Sequence, residues 1–171
     1  MELVIFVGIQ AAGKSTFYRE RFADTHAYVS KDLLRNNGRP QRRQMELIEE
    51  ALRAGRSVVV DNTNPTPTDR EPLIRLAREH GAAVAGYYFD AVMRESLARN
   101  RERTGKARVP DVAIYATAKR LVPPSLAEGL DQLYRVRTTP AGGFDCEPWA
   151  GGDVTGDPPK VRDAAKESPH G

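Results

Sequence analysis

At 171 residues, with 40% hydrophobic and 29% charged positions, the chain can bury one real core and is too short for a second of comparable size. One Cys and three His exclude a disulfide framework and a zinc set, and the lone Cys146 predicts a reducing compartment. The net charge of +3 hides an asymmetry: residues 1–137 hold 23 Lys and Arg against 17 Asp and Glu, whereas 138–171 hold 3 against 6, so a basic folded part that favours phosphate-bearing partners carries an acidic tail.

The N-terminal MELVIFV starts with an acid and offers too short an apolar run for a signal peptide or a membrane span, so a soluble cytoplasmic protein is expected. Residues 2–7 read instead as a strand buried on both faces. Directly after it, G-x-x-x-x-G-K-S occupies positions 8 to 15, the phosphate-binding P-loop. Gly8 and Gly13 let the backbone curl close to an anion, and the amides of Gln10, Ala11, Ala12, Gly13, Lys14 and Ser15, with Thr16 beyond them, surround it. Lys14 supplies a point charge to the outer phosphates, the Ser15 hydroxyl ligates magnesium, and the helix that starts here adds its positive dipole end.

That helix is expected over residues 14–23, with Phe17, Tyr18 and Phe22 inward. A short strand, Ala27 to Val29, leads into Ser30 as N-cap of a turn from Lys31 to Arg35, on which Asp32 and Arg35 lie three apart and share a face. After NNGRP, a helix from Gln41 to Ala54 turns Met45, Ile48, Ala51 and Leu52 inward, and Gly55 closes it. Ser57 to Val60 is a buried strand ending in DNTN, residues 61–64, at the carboxyl end where open α/β sheets hold ligands. A helix from Thr68 to His80, a strand from Ala83 to Phe89 and a helix from Met93 to Asn100 follow. The alternation predicts an α/β fold, a parallel sheet with helices on both faces.

The next segment is the most basic in the chain, holding Arg99, Arg101, Arg103, Lys106 and Arg108 around Gly105. It precedes a helix from Pro110 to Leu121, and the pair suits an Arg-rich lid over an anionic ligand. Pro123 and Pro124 stop that helix, residues 126–130 turn, and Gln132 to Arg137 form a last strand. From Thr138 the density of Pro, Gly, Asp and Ser predicts disorder with at most one of Phe144 and Trp149 docked, which divides the chain into a domain over 1–137 and a disordered tail over 138–171.

A P-loop fits GTPases, ATPases and small kinases alike. No N-K-x-D for guanine is present, and no strand ends in adjacent Asp-Glu to activate water. A carboxylate just after the strand at 27–29, an Arg beside it and a late Arg-rich lid are the parts of a kinase: a base for an acceptor hydroxyl, an anchor for the acceptor, and cations for the phosphoryl group in transit.

The blocks GIQAAGKSTF (8–17), SKDLLR (30–35), VVVDNTNP (58–65), LARNRERTGKARVP (97–110) and PPSLAEGL (123–130) together resemble the polynucleotide 5′-kinases, over essentially residues 3–137. The resemblance implies a nucleoside-kinase-like P-loop NTPase fold, ATP and Mg2+ as cofactors, and 5′-hydroxyl ends of DNA or RNA as acceptors. It implies Asp32 as the general base, Arg35 as the holder of the phosphate next to the 5′ nucleoside, and Arg103 with Arg99 as lid residues on the ATP phosphates. Asp61 and Asn62 fall in the family's polar corner after the strand, where phage members have Ser before Asp-Thr-Asn; they either ligate metal or water, or fix the loop by side chain to backbone bonds. Members often carry a 3′-phosphatase domain that residues 138–171 cannot encode, so a kinase alone is expected. Two alternatives stand beside this: a kinase of the same fold for a nucleoside, sugar nucleotide or antibiotic, and a nucleotide-binding adaptor without catalysis. The strip Arg35, Arg39, Arg42 and Arg43 argues against the first and the intact Asp32 against the second. DNA or RNA preference and oligomeric state stay open.

Overall fold

The structure, a computed structural model, describes residues 1–151; the expected disorder of 152–171 lies outside the described residues. Six strands, β1 (Glu2–Val7), β2 (Ala27–Val29), β3 (Val58–Val60), β4 (Ala83–Phe89), β5 (Gln132–Thr138) and β6 (Phe144–Pro148), alternate at first with five helices. These are α1 (Lys14–Arg21), α2 (Pro40–Arg53), α3 (Pro67–Glu79), α4 (Met93–Glu102) and α5 (Asp111–Arg120). One sheet results, in the order β2-β3-β1-β4-β5-β6, parallel except for β6. The expected α/β architecture is therefore present, with α2 and α3 each starting on a proline at the first helical turn, where a missing N–H costs nothing.

β1 lies in the middle, and Leu3 through Val7 are fully buried because helices cover both faces of it. From β1 the chain runs outward to β2 and returns to β3, and from β3 it crosses to β4 on the other side. The reversal between β1 and β3 opens a crevice at their carboxyl ends. Both the P-loop and DNTN emerge there. Beneath them Phe6, Phe17, Phe22, Tyr87 and Phe89 pack edge to face or tilted at 5.0–6.0 Å; such pairs add roughly 0.5–1.5 kcal/mol each beyond area burial.

The structure corrects the expected boundary at residue 137. β5 turns at Thr139–Gly143 and returns as β6, pairing Thr138 with Phe144 and Val136 with Cys146. Both aromatics dock: Phe144 meets Phe17 at 5.2 Å, and Trp149 stacks on Tyr88 at 5.0 Å. The cause is the free edge of β5, which a two-faced strand can satisfy, with Arg135 and Glu147 paired across it at 2.7 Å.

Candidate functional site

A cleft of about 980 Å3 opens over the carboxyl ends of β1 and β3. It gathers residues far apart in sequence: Gln10 through Thr16, Asp32 and Arg35, Asp61 through Pro65, then Arg103 and Lys106. Of the residues singled out from sequence, Lys14, Ser15, Asp32, Arg35 and Arg103 meet here. Gly8 and Arg99 do not line it.

Gly8 serves packing. Its N–H donates to the Thr63 carbonyl at 3.0 Å, and a Cβ at this position would stand 2.9 Å from the Phe89 Cβ. Gly13 is the conformational glycine, at φ +94° with the Phe144 ring where a side chain would go. Ala11 shares the left-handed region at φ +59°. Its carbonyl accepts from Arg99 at 3.1 Å, while the second Arg99 nitrogen donates to the Thr138 hydroxyl at 3.3 Å. Arg99 therefore ties the P-loop to the end of β5 from outside the cleft.

Lys14 is buried and donates to the Gly8 carbonyl at 2.7 Å. Burial lowers its pKa to about 8, opposed by the charges of Asp61 and Asp32 and aided by Arg103. Beside it, Asp61 on the end of β3 is buried and accepts from the Ser15 hydroxyl at 2.9 Å and the Tyr28 hydroxyl at 2.6 Å, both on Oδ2. Burial first, and then Asp61, pushes the Tyr28 phenol up to about 12, so it stays a donor at neutral pH. Asn62 instead bridges two other elements through its amide: Oδ1 accepts from the Lys31 N–H at 2.9 Å and Nδ2 donates to Gln44 at 2.6 Å. Of the two readings for this corner, loop fixing describes Asn62, while Asp61 faces the P-loop hydroxyl.

Sequence reasoning missed Tyr28 and Gln44. Gln44 carried a signal, a polar residue on the inward face of α2 that is 2% exposed. Tyr28 carried none, because its partner lies on the neighbouring strand, where Tyr28 pairs with Val59.

No group of three or more His, Cys, Asp or Glu gathers for a metal among the described residues. Ser15 and Asp61 nevertheless offer two hard oxygens 2.9 Å apart at the phosphate loop. That set fits magnesium, which takes one or two protein oxygens and fills its shell from water and phosphate.

On another rim of the cleft, Ser30 caps the 3-10 turn Lys31–Leu34, accepting from the Asp32 N–H at 3.3 Å. Asp32 and Arg35 pair at 3.2 Å, as their spacing predicts, and the Asp32 side chain is 79% exposed. Arg35 also donates to the Lys106 carbonyl in the Arg-rich loop. The Arg-rich loop before α5 is stapled by buried Asn100, which exchanges two hydrogen bonds with the Val109 backbone at 2.6 and 3.0 Å. Gln10 joins α5 to the P-loop by donating to the Thr117 hydroxyl at 3.0 Å. Within the basic strip expected beyond Arg35, Arg42 pairs with Glu46, and Arg43 with Glu46 and Glu50.

The AAA domain family matches residues 3–124. A relative in Schizosaccharomyces pombe, "Bifunctional polynucleotide phosphatase/kinase", is 28% identical over 142 residues, covering 79% of this chain and 33% of its own length. "L-seryl-tRNA(Sec) kinase" of Methanococcus maripaludis is 30% identical over 119 residues, 61% of this chain and 47% of its own. The chain thus spans a third to a half of the curated relatives it matches. Among solved structures, a gluconokinase from Sinorhizobium meliloti superposes with a TM-score of 0.54 at 19% identity, covering 80% of this chain and 82% of that one. That likeness is one of fold. No helix among the described residues is long and apolar enough to cross a membrane.

Proposed function

Because the chain belongs to the AAA domain family, we propose that it is an ATP-dependent kinase whose acceptor is the 5′-hydroxyl end of a polynucleotide. One observation carries the proposal: the Asp32–Arg35 pair stands on the rim of the same cleft that holds Lys14 and Ser15. A carboxylate and a guanidinium side by side suit an acceptor that brings both a hydroxyl and a phosphate. The relatives named for polynucleotide and for seryl-tRNA phosphorylation support an acceptor borne on nucleic acid.

Asp32 takes the proton of the 5′-hydroxyl as its oxygen bonds to the γ-phosphorus, and the bond from that phosphorus to the β–γ bridging oxygen breaks, releasing ADP. Its exposure lets a hydroxyl reach it. Arg35 clamps the adjacent phosphate with two N–H groups, which turns the hydroxyl toward Lys14. Lys14 and Arg103 face the charge that collects on the phosphoryl oxygens, and the amides from Gln10 to Ser15 hold the rest of the nucleotide. Ser15 and Asp61 would hold magnesium, which would supply positive charge against the ATP phosphates. Tyr28 orients the Asp61 carboxylate for that role.

Incubation with labelled ATP and a panel of 5′-hydroxyl DNA, RNA and free nucleosides tests this. Label on oligonucleotide ends is expected. Label on nucleosides with none on oligonucleotides overturns the polynucleotide acceptor, and ATP binding with no transfer to any acceptor overturns catalysis.

A further inference from the structure

We propose that Arg120 is a subsite for a second phosphate of the acceptor strand, one nucleotide or more beyond the phosphate on Arg35; the inference rests on the polynucleotide reading above. Arg120 lines the same cleft as Lys14 and Arg35, from the end of α5 rather than from the Asp32 turn. It lies three residues after Thr117 on α5, and Thr117 accepts from Gln10 of the P-loop. Residues three apart share a helix face. The face of α5 that touches the phosphate loop is therefore the one that presents Arg120.

Its backbone is held from several sides. Leu121 is buried, and the Val122 N–H donates to the Pro65 carbonyl at 2.7 Å. The preceding carbonyl, that of Asn64, accepts at 2.8 Å from Arg70, which is fully buried and paired with Glu128 at 2.8 Å. The side chain, in contrast, is 63% exposed, and among the described residues its charged partner is Asp69 at 3.8 Å, beyond hydrogen-bond length. The Asp69 oxygen nearest to it is already occupied: Oδ2 accepts from the Thr66 hydroxyl at 2.6 Å and the Thr66 N–H at 3.2 Å, capping α3. So a well-placed cation in the wall of an anion-binding cleft keeps its donors available, and an exposed pair of this length costs little to leave. A mononucleotide has no phosphate to bring there; a strand does.

The test compares Arg120→Ala and Arg120→Lys with the unsubstituted protein on three acceptors: a nucleoside 3′-phosphate, a dinucleotide and a hexanucleotide. Arg120→Ala is expected to raise KM for the hexanucleotide about tenfold more than KM for the nucleoside 3′-phosphate, with Arg120→Lys between them. The slope of log affinity for the hexanucleotide against log salt should flatten by about 0.7, one phosphate contact on a single strand. Equal losses on short and long acceptors, or no loss on either, overturn the subsite while leaving the kinase reading intact. An unsubstituted protein that phosphorylates no oligonucleotide overturns both.

Discussion

The two halves of the cleft are built differently. On the phosphate side, Lys14 and Asp61 are buried and satisfied by internal partners: Gly8 for the lysine, Ser15 and Tyr28 for the aspartate. On the proposed acceptor side, Asp32 and Arg35 meet each other at 3.2 Å, with Asp32 largely in water and Arg35 leaning on the Lys106 backbone carbonyl. A nucleotide site is the same for every turnover and can be fixed in the fold. Under the proposed function the acceptor site has to admit a strand end and release it, which suits groups left exposed in the free protein.

The sharpest way to break this contrast is Asp32→Ala. If Asp32 is the base, as proposed, the loss belongs in the chemical step: kcat should fall roughly 10²- to 10⁴-fold while ATP affinity stays within about threefold. A large loss of ATP binding would mean the two halves are one unit. Arg35→Ala comes next, raising KM for an oligonucleotide about 10- to 100-fold, the worth of a charge-assisted contact, with ATP affinity again held. Steady-state kinetics with each substrate varied in turn separates these outcomes.

Tyr28→Phe probes the other half, with a smaller effect. It removes the 2.6 Å donor from the Asp61 carboxylate and should lower unfolding stability by about 1.5 kcal/mol in urea titrations, with KM for the acceptor unmoved. A change in acceptor KM without a change in stability would place Tyr28 on the wrong side of the comparison.

The same contrast explains what could be read from the chain. The P-loop, the strand feeding it and the Asp32–Arg35 pair are local patterns, fixed by spacings of a few residues, and the structure has them where the spacing puts them. The Ser15–Asp61–Tyr28 set is not local: it exists because β3 lies beside β2, so that Asp61 donates its N–H to the Val29 carbonyl while its side chain meets Tyr28. The strand β6 was hidden for another reason. Phe144 and Cys146 alternate with Asp145 and Glu147 in the two-residue rhythm of a strand, but the surrounding Pro and Gly outweigh five residues in any compositional reading. The pairing of Arg42 and Arg43 with Glu46 was legible, since the spacings are i,i+4 and i,i+3.

The smallest effect tests burial on the phosphate side through pH. Lys14 titrates at about 8 in the free protein, below its ordinary 10.5, because burial disfavours its charge. Phosphates favour that charge, so the nucleotide complex holds the proton to higher pH. Above pH 8 binding must then take up a proton, and ATP affinity should fall about threefold between pH 7.5 and 8.5, whereas Lys14→Met should show no such slope. Stability of the nucleotide-free protein moves the other way: between about 8 and 10.5 the unfolded chain binds the proton that the folded lysine has lost, so the Lys14 contribution rises with pH. Calorimetry in buffers of different ionisation enthalpy reads the proton uptake directly, and denaturant titrations of the unsubstituted protein against Lys14→Met read the opposing trend. Parallel pH slopes for the two proteins would mean that Lys14 is solvated in solution, and that the phosphate half is no more enclosed than the acceptor half.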